Sequence, residues 1–230
     1  MVNIFNYGIK FYDIKQNIPS LTGNFINKTE IYKNPTYWDF DEFKKFINVI
    51  EDKLYKTLFE TLYFTGIRIG EALALNWNDF NNDYLIITKT ISKEYHNGKR
   101  TINTPKTKKS IRRIKLDNDL IKNLNNLKEY YMKEKNFKNT WYIFGGIKPL
   151  SPTTLTRKKD KYCELANVKK IRIHDFRHSH VSLLISIGTP ITVISERLGH
   201  SDIAMTLNTY SHMLKKDEDK AVSKLNELKK

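Results

Sequence analysis

Five side chains in this sequence have the types and spacing needed to break a phosphodiester through a covalent protein intermediate. His174 and Arg177 stand three apart in His174-Asp175-Phe176-Arg177, His200 follows Leu198-Gly199, and Tyr210 follows Asn208-Thr209. A second arginine lies far upstream in Thr65-Gly66-Ile67-Arg68-Ile69-Gly70-Glu71. Arginine stays charged and its planar fork grips two oxygens at once, so Arg68 and Arg177 suit the non-bridging oxygens of a phosphate. Histidine can move protons. A phenol attacks phosphorus only when its proton is removed or its anion is stabilised, because its ordinary pKa is about 10. With two arginines supplying charge no metal is required, and the sequence has no carboxylate cluster of the kind that holds magnesium pairs.

Each residue also has an ordinary reading. Arg68 can pair with Glu71 on a surface, His174 and Arg177 can form a polar cluster on one helical face, His200 can cap a helix after Gly199, and a lone Tyr210 can be a packed aromatic. Their occurrence together is what favours catalysis. His174, His178 and His180 raise a metal site, since a spacing of four puts two ligands on one helical face. No cysteine or acidic partner completes it, so His178 and His180 are expected to pack their helix, one of them buried and hydrogen-bonded. No cofactor is expected.

The elements that must position these groups are mainly helical. Asp39 with Glu42 three residues on is a capping box that starts a helix through Phe40, Phe43, Phe46, Ile47 and Ile50. Leu54, Leu58 and Leu62 mark the next helix, Gly66 stops it, and Arg68 to Leu75 forms a short third. The pattern then turns to β: a strand over Tyr84–Thr88, a hairpin turn at Asn97-Gly98, and strands near Lys99–Asn103 and Ile111–Leu116, forming one small three-stranded antiparallel sheet. Helices return around Leu120–Leu127, over 152–166 and from about 175. Thr189 is expected to cap a helix with Pro190 at its first position, running Ile191–Leu198 and ending at Gly199. Ser201 then caps the helix leading to Tyr210, and residues 213–229 form a final charged helix with Val222, Leu225 and Leu228 as its stripe. The fold class is α+β, mainly α-helical. Residues 1–35 read as the last helix of a truncated preceding unit, over 4–14, followed by a linker, because one helix cannot bury its own apolar face.

The chain has 230 residues and carries a net charge of +15, with 40% hydrophobic and 12% aromatic residues. That composition suits a folded globule that binds a polyanion. Residues 95–115 contain no acid but include Lys99, Arg100, Lys106, Lys108, Lys109, Arg112, Arg113 and Lys115. A basic hairpin of this kind can reach along a phosphate backbone, so Lys99, Arg100, Lys108, Lys109, Arg112 and Arg113 are candidate DNA contacts. Cys163 is the only cysteine, which excludes an intrachain disulfide and suits a buried thiol in a reducing cytoplasm. No signal peptide or membrane span is evident, so no membrane partner is expected.

From about residue 36 onward the motif order resembles the catalytic domain of the tyrosine recombinases, the phage and conjugative-transposon integrases. The resemblance implies that Arg68 and Arg177 hold the phosphate, His174 and His200 complete the set, Tyr210 is the nucleophile, and Lys106 in Thr104-Pro105-Lys106-Thr107 protonates the leaving 5′-oxygen. Lys108 and Lys109, close by on the same turn, remain alternatives. Glu71 matches an acidic residue one turn after the first arginine and is expected to orient Arg68 or a nearby histidine. The implied activity is strand exchange at double-stranded DNA attachment sites through a 3′-phosphotyrosine, by a bacterial, nucleoid-associated homo-tetramer that is a monomer when isolated. Residues 1–35 would then end a core-binding domain, and the helix over 213–229 would dock on a neighbouring subunit. Two other readings stay open: a type IB topoisomerase, and a non-catalytic helix-turn-helix regulator built on Ile191–Tyr210.

Overall fold

The protein is described by a computed structural model, whose described residues are 7, 9–12, 36–96, 99–103, 111–199, 202–214, 222 and 225–228. The chain divides into two compact units, 1–34 and 35–230. In the first, residues 7 and 9–11 are helical and the Tyr7 and Phe11 rings lie 4.6 Å apart.

The second unit begins as its sequence dictates. Asp39 accepts from the Glu42 amide at 2.8 Å and Glu42 reaches back to the Asp39 amide, and this closed box starts α1, Phe40–Asn48. Asp52 caps α2, Lys53–Thr65, which ends at Gly66 in the left-handed region (φ 65°). A Cβ at Gly66 would also sit 2.5 Å from the His180 ring, so glycine serves both the turn and the close approach. Arg68 is the N-cap of α3, Ile69–Ala74. The later helices are α4, Asn118–Met132, α5, Pro152–Leu165, α6, Asp175–Ser186, α7, Ile191–Leu198, and α8, Ile203–Leu214. α7 starts where the pattern indicates, but its cap is Pro190 and not Thr189: ψ of 138° at Pro190 leaves that residue outside the helix.

The β structure differs from the single sheet expected. Tyr84–Ile87 (β2) pairs antiparallel with Phe80–Asn81 (β1) on one side and Arg112–Lys115 (β5) on the other. Thr90–His96 (β3) and Lys99–Asn103 (β4) form a separate two-stranded hairpin. β2 chooses β5 because Leu85 faces Ile114, both buried, whereas β3 carries a register irregularity between Ile91 and Tyr95. His96 pairs with Lys99, so Asn97 and Gly98 connect the two strands; they lie outside the described residues.

The main core is aromatic. Phe46 meets Trp38, Phe59, Tyr162 and Phe176 with centroids 4.6–6.3 Å apart, and Phe43 stacks on Tyr63 at 3.7 Å. Cys163 is fully buried here as a free thiol, and burial raises its pKa. A smaller cluster, Val181, Ile185, Ile194, Leu198 and Tyr210, lies where α6, α7 and α8 meet. Val222, Leu225 and Leu228 are helical and exposed, while Ser201 lies outside the described residues.

Candidate active site

Arg177 is the fixed point of the site. It lies on α6, is 5% exposed, and donates to the Gly66 carbonyl at 2.9 Å and the Leu198 carbonyl at 2.8 Å. Both acceptors sit at helix C-termini, where backbone carbonyls lack intrahelical partners and the helix dipole is negative, so each attracts a cation. Gly66 and Gly199 (φ 65°) end those two helices and thereby free the carbonyls. Burial, and then the nearby Arg68 charge, push the Arg177 pKa down to about 9, which leaves the guanidinium cationic at neutral pH.

Arg68 is held more loosely. Its backbone N–H donates to Glu71 Oε2 at 2.9 Å and its Nη1 to Oε1 at 3.2 Å, while 41% of its side chain is exposed. Glu71 is buried and serves two arginines, because Arg112 also donates to both of its oxygens at 3.2 and 2.9 Å. Burial alone would raise the Glu71 pKa; the Arg112 hydrogen bonds and charge, with help from Arg68, overcome it and hold the carboxyl ionised. Arg112, expected among the DNA contacts, is thus turned inward: its side chain is 7% exposed and its Nε donates to the Arg197 carbonyl at 2.7 Å. Strand alternation explains the difference from Arg113, whose guanidinium is exposed and lies 4.8 Å from the Tyr84 ring centre.

His174 is the N-cap of α6 and remains exposed. It borders a cleft of about 590 Å³ lined also by Arg68, Leu73, Ile91 and Ser92. Partial desolvation, then the Arg177 charge, lower its pKa, so it is neutral near pH 7. One turn later the His178 ring stands nearly perpendicular to that of His174, with centroids 5.3 Å apart. Its Nδ1 shares a 2.5 Å hydrogen bond with the Tyr210 hydroxyl. Tyr210 is 3% exposed; burial raises its pKa above the ordinary phenol value, and the Arg177 charge opposes the rise. The phenol is therefore docked and protonated. His180, on the other side of α6, is buried with Nδ1 2.8 Å from the Tyr63 carbonyl, and desolvation lowers its pKa to about 3.

Arg68, Glu71, His174, Arg177 and Tyr210 thus converge around one end of α6. Lys106, Lys108, Lys109 and His200 lie outside the described residues. The Lys99 and Arg100 backbones lie on β4 beside the hairpin connection. His178 and Arg112 are the contributors that sequence reasoning assigned elsewhere. For His178 the available signal was its position four residues after His174 and one after Arg177, on the helix that carries both.

Comparison with known proteins shows the family and the fold. The model of the phage integrase family matches residues 37–217. The chain is 37% identical over 204 residues to the ICEBs1 integrase of Bacillus subtilis (strain 168), covering 85% of this chain and 55% of that protein. It is 31% identical over 207 residues to a XerC-like tyrosine recombinase of Caldanaerobacter subterraneus, covering 82% and 53%. The chain therefore spans about half the length of these curated relatives. Among solved structures, the Tn1549 transposon integrase in complex with a circular intermediate DNA superposes with a TM-score of 0.71 at 21% identity, over 99% of this chain and 76% of that one. XerA recombinase gives 0.62 at 21%, over 81% and 65%. At that identity the superpositions speak for the fold.

Proposed function

The chain belongs to the phage integrase family, and on that premise we propose that it is the strand-cutting part of a site-specific tyrosine recombinase that moves a mobile element. The observation that carries this reading is the docking of a buried tyrosine hydroxyl beside Arg177, on the helix that also bears His174, with Arg68 close enough to lower the pKa of both.

In this mechanism the scissile phosphate of a double-stranded attachment site lies between the two guanidiniums. Arg177, already fixed by two carbonyls, loses little freedom on binding. Arg68, half free, closes on the second face, with Glu71 setting its direction. As Tyr210 attacks, negative charge grows on the non-bridging oxygens, and each arginine grips it more strongly than it gripped the ground state; losing one such donor costs about 3–4 kcal/mol of barrier. His174 and His200 are assigned to the same oxygens and to proton traffic. Lys106 gives the leaving 5′-oxygen its proton. The product is a 3′-phosphotyrosine and a 5′-hydroxyl, so the bond energy is retained and a 5′-hydroxyl from a second duplex reverses the step.

Lys99, Arg100, Lys108, Lys109 and Arg113 are assigned to the DNA backbone; Arg112 acts behind them, through Glu71. Residues 1–35 are read as core-binding-domain sequence, and the working assembly as a tetramer on DNA with the segment 213–229, much of which lies outside the described residues, reaching a neighbour. The test is a nicked duplex, taken from the DNA flanking the coding sequence, incubated with wild type and Tyr210→Phe. A denaturation-resistant adduct with wild type only is expected. DNA binding without an adduct from either protein would favour the regulator reading, and an adduct followed by supercoil relaxation without strand exchange the topoisomerase one.

A further inference from the structure

A buried phenol has a problem that the arginines do not solve. Tyr210 is 3% exposed, so its side chain is largely screened from hydroxide and bulk buffer, yet the proton must leave as the oxygen attacks. A general base has to stand within hydrogen-bond reach of that proton. His174 borders the cleft at the start of α6, with its ring centre 5.3 Å from that of His178. Among the described residues, the side chain that meets the hydroxyl is His178, through Nδ1, with its ring 5.7 Å from the Tyr210 ring.

We propose that His178 is a catalytic residue of the cleavage step, its Nδ1 taking the Tyr210 proton as the phenol oxygen bonds to phosphorus, an inference that rests on the recombinase reading above. The atoms balance as follows. The Tyr210 Oη–P bond forms while the P–O5′ bond breaks, the phenolic proton moves to His178 Nδ1, and O5′ receives its proton from Lys106. On rejoining, the incoming 5′-hydroxyl attacks phosphorus, its own proton passes back to Lys106, and His178 returns its proton to the departing tyrosine oxygen.

The surroundings give this base a natural trigger. Burial, then the nearby His174, lower the His178 pKa to about 4, with Arg172 and Arg177 adding to the effect and Asp175 opposing it. His178 is therefore neutral and ready to accept, but a weak base, chiefly because it is buried beside His174 and to a smaller degree because of the Arg172 and Arg177 charges. A phosphate between Arg68 and Arg177 cancels part of that positive field, which raises the basicity of His178 at the moment the nucleophile is needed. From the opposing helix α8, the charge partner is Tyr210 itself. In the absence of DNA the same bond keeps the phenol protonated and inert.

The experiment measures adduct formation by the full chain on the nicked duplex, made with either oxygen or sulfur at the bridging 5′ position of the scissile phosphate. Sulfur leaves without a proton, so it removes the need for the acid and leaves the need for the base. His178→Asn keeps a hydrogen-bond acceptor that cannot be protonated. It is expected to slow cleavage by about 100- to 10,000-fold on both substrates, and to abolish the acid limb of the wild-type pH profile. Lys106→Ala is expected to be slow on oxygen and restored by sulfur. An H178N rate comparable with wild type, or one restored by sulfur, overturns the proposal. Should H178N fold poorly, the ¹⁵N shifts of the His178 ring in the intact wild-type chain decide. An unprotonated Nδ1 whose shift moves in Tyr210→Phe is expected, and a protonated Nδ1 overturns the assignment. No adduct from wild type itself is a different failure, since it removes the recombinase reading and His178 falls with it.

Discussion

The main core and the small cluster beneath Tyr210 hold the two halves of the reaction in different ways. The main core spans α1, α2, the three-stranded sheet, α4, α5 and the start of α6, and it is closed by interlocked rings such as Phe59 on Phe176 at 5.5 Å. On this base stand the groups that would grip phosphate, with Arg68 and Glu71 just past the end of α2 and Arg177 one residue beyond Phe176. Among the described residues the second cluster has five buried side chains, and one of them is Tyr210, the proposed nucleophile. A small cluster has few contacts to lose, so it opens at lower free energy than a large one. On the proposed assignment, the phosphate clamp stands on rigid ground and the attacking tyrosine on ground that can shift.

Substitutions can break that contrast. Phe59→Ala, deep in the main core, should cost about 3–5 kcal/mol and lower the denaturation midpoint of every probe on residues 35–230 together. If probes on α8 kept their midpoint, the two clusters would be independent and the comparison too weak. Acidification acts at the seam between them. His178 and His180 are held neutral with pKa values of about 4 and about 3. Because the unfolded histidines titrate near their ordinary value of about 6.5, the unfolded state binds more protons below that pH. Their contribution is whole above pH ~6.5 and is lost as pH falls toward the folded values, by on the order of 1–2 kcal/mol at pH ~5 for the buried His180 and by less for His178, which is partly exposed and screened by solvent. Urea titrations at pH 7 and 5 check this, and a His180→Gln variant should lose part of the dependence. The smallest effect sharpens the picture most. Ile194→Val, in the five-residue cluster, should cost about 0.5–1.5 kcal/mol yet speed amide exchange in α7 and α8 while leaving α1 and α2 unchanged. Uniform acceleration across the chain would mean a single cooperative unit.

Much of this arrangement can be read from local sequence. The Asp39–Glu42 box, the stop at Gly66 and the helix from Asp175 rest on residues within one turn of each other, where the physics is local. Strand partnership is not local. Nothing near Tyr84 says whether it will pair with residue 100 or residue 114, and the choice falls to which pair buries Leu85 against Ile114. The direction of Arg112 depends in turn on that pairing, since register decides which of two neighbouring arginines faces Glu71. His178 was hidden for a similar reason: its partner lies 32 residues away on another helix. The active-site residues themselves were accessible because their types, not their contacts, announce the chemistry.

The two carbonyls that hold Arg177 belong to different parts of the protein, Gly66 at the end of α2 and Leu198 at the end of α7. A guanidinium braced in this way acts as a safety interlock. If α7 and its cluster loosen, the arginine loses one brace and swings out of alignment before the main core has begun to unfold. On the recombinase reading, a damaged or half-folded copy would keep its basic surface but lose the alignment needed to cut. If the chain cuts DNA as proposed, failing in the closed position is the safer way to fail.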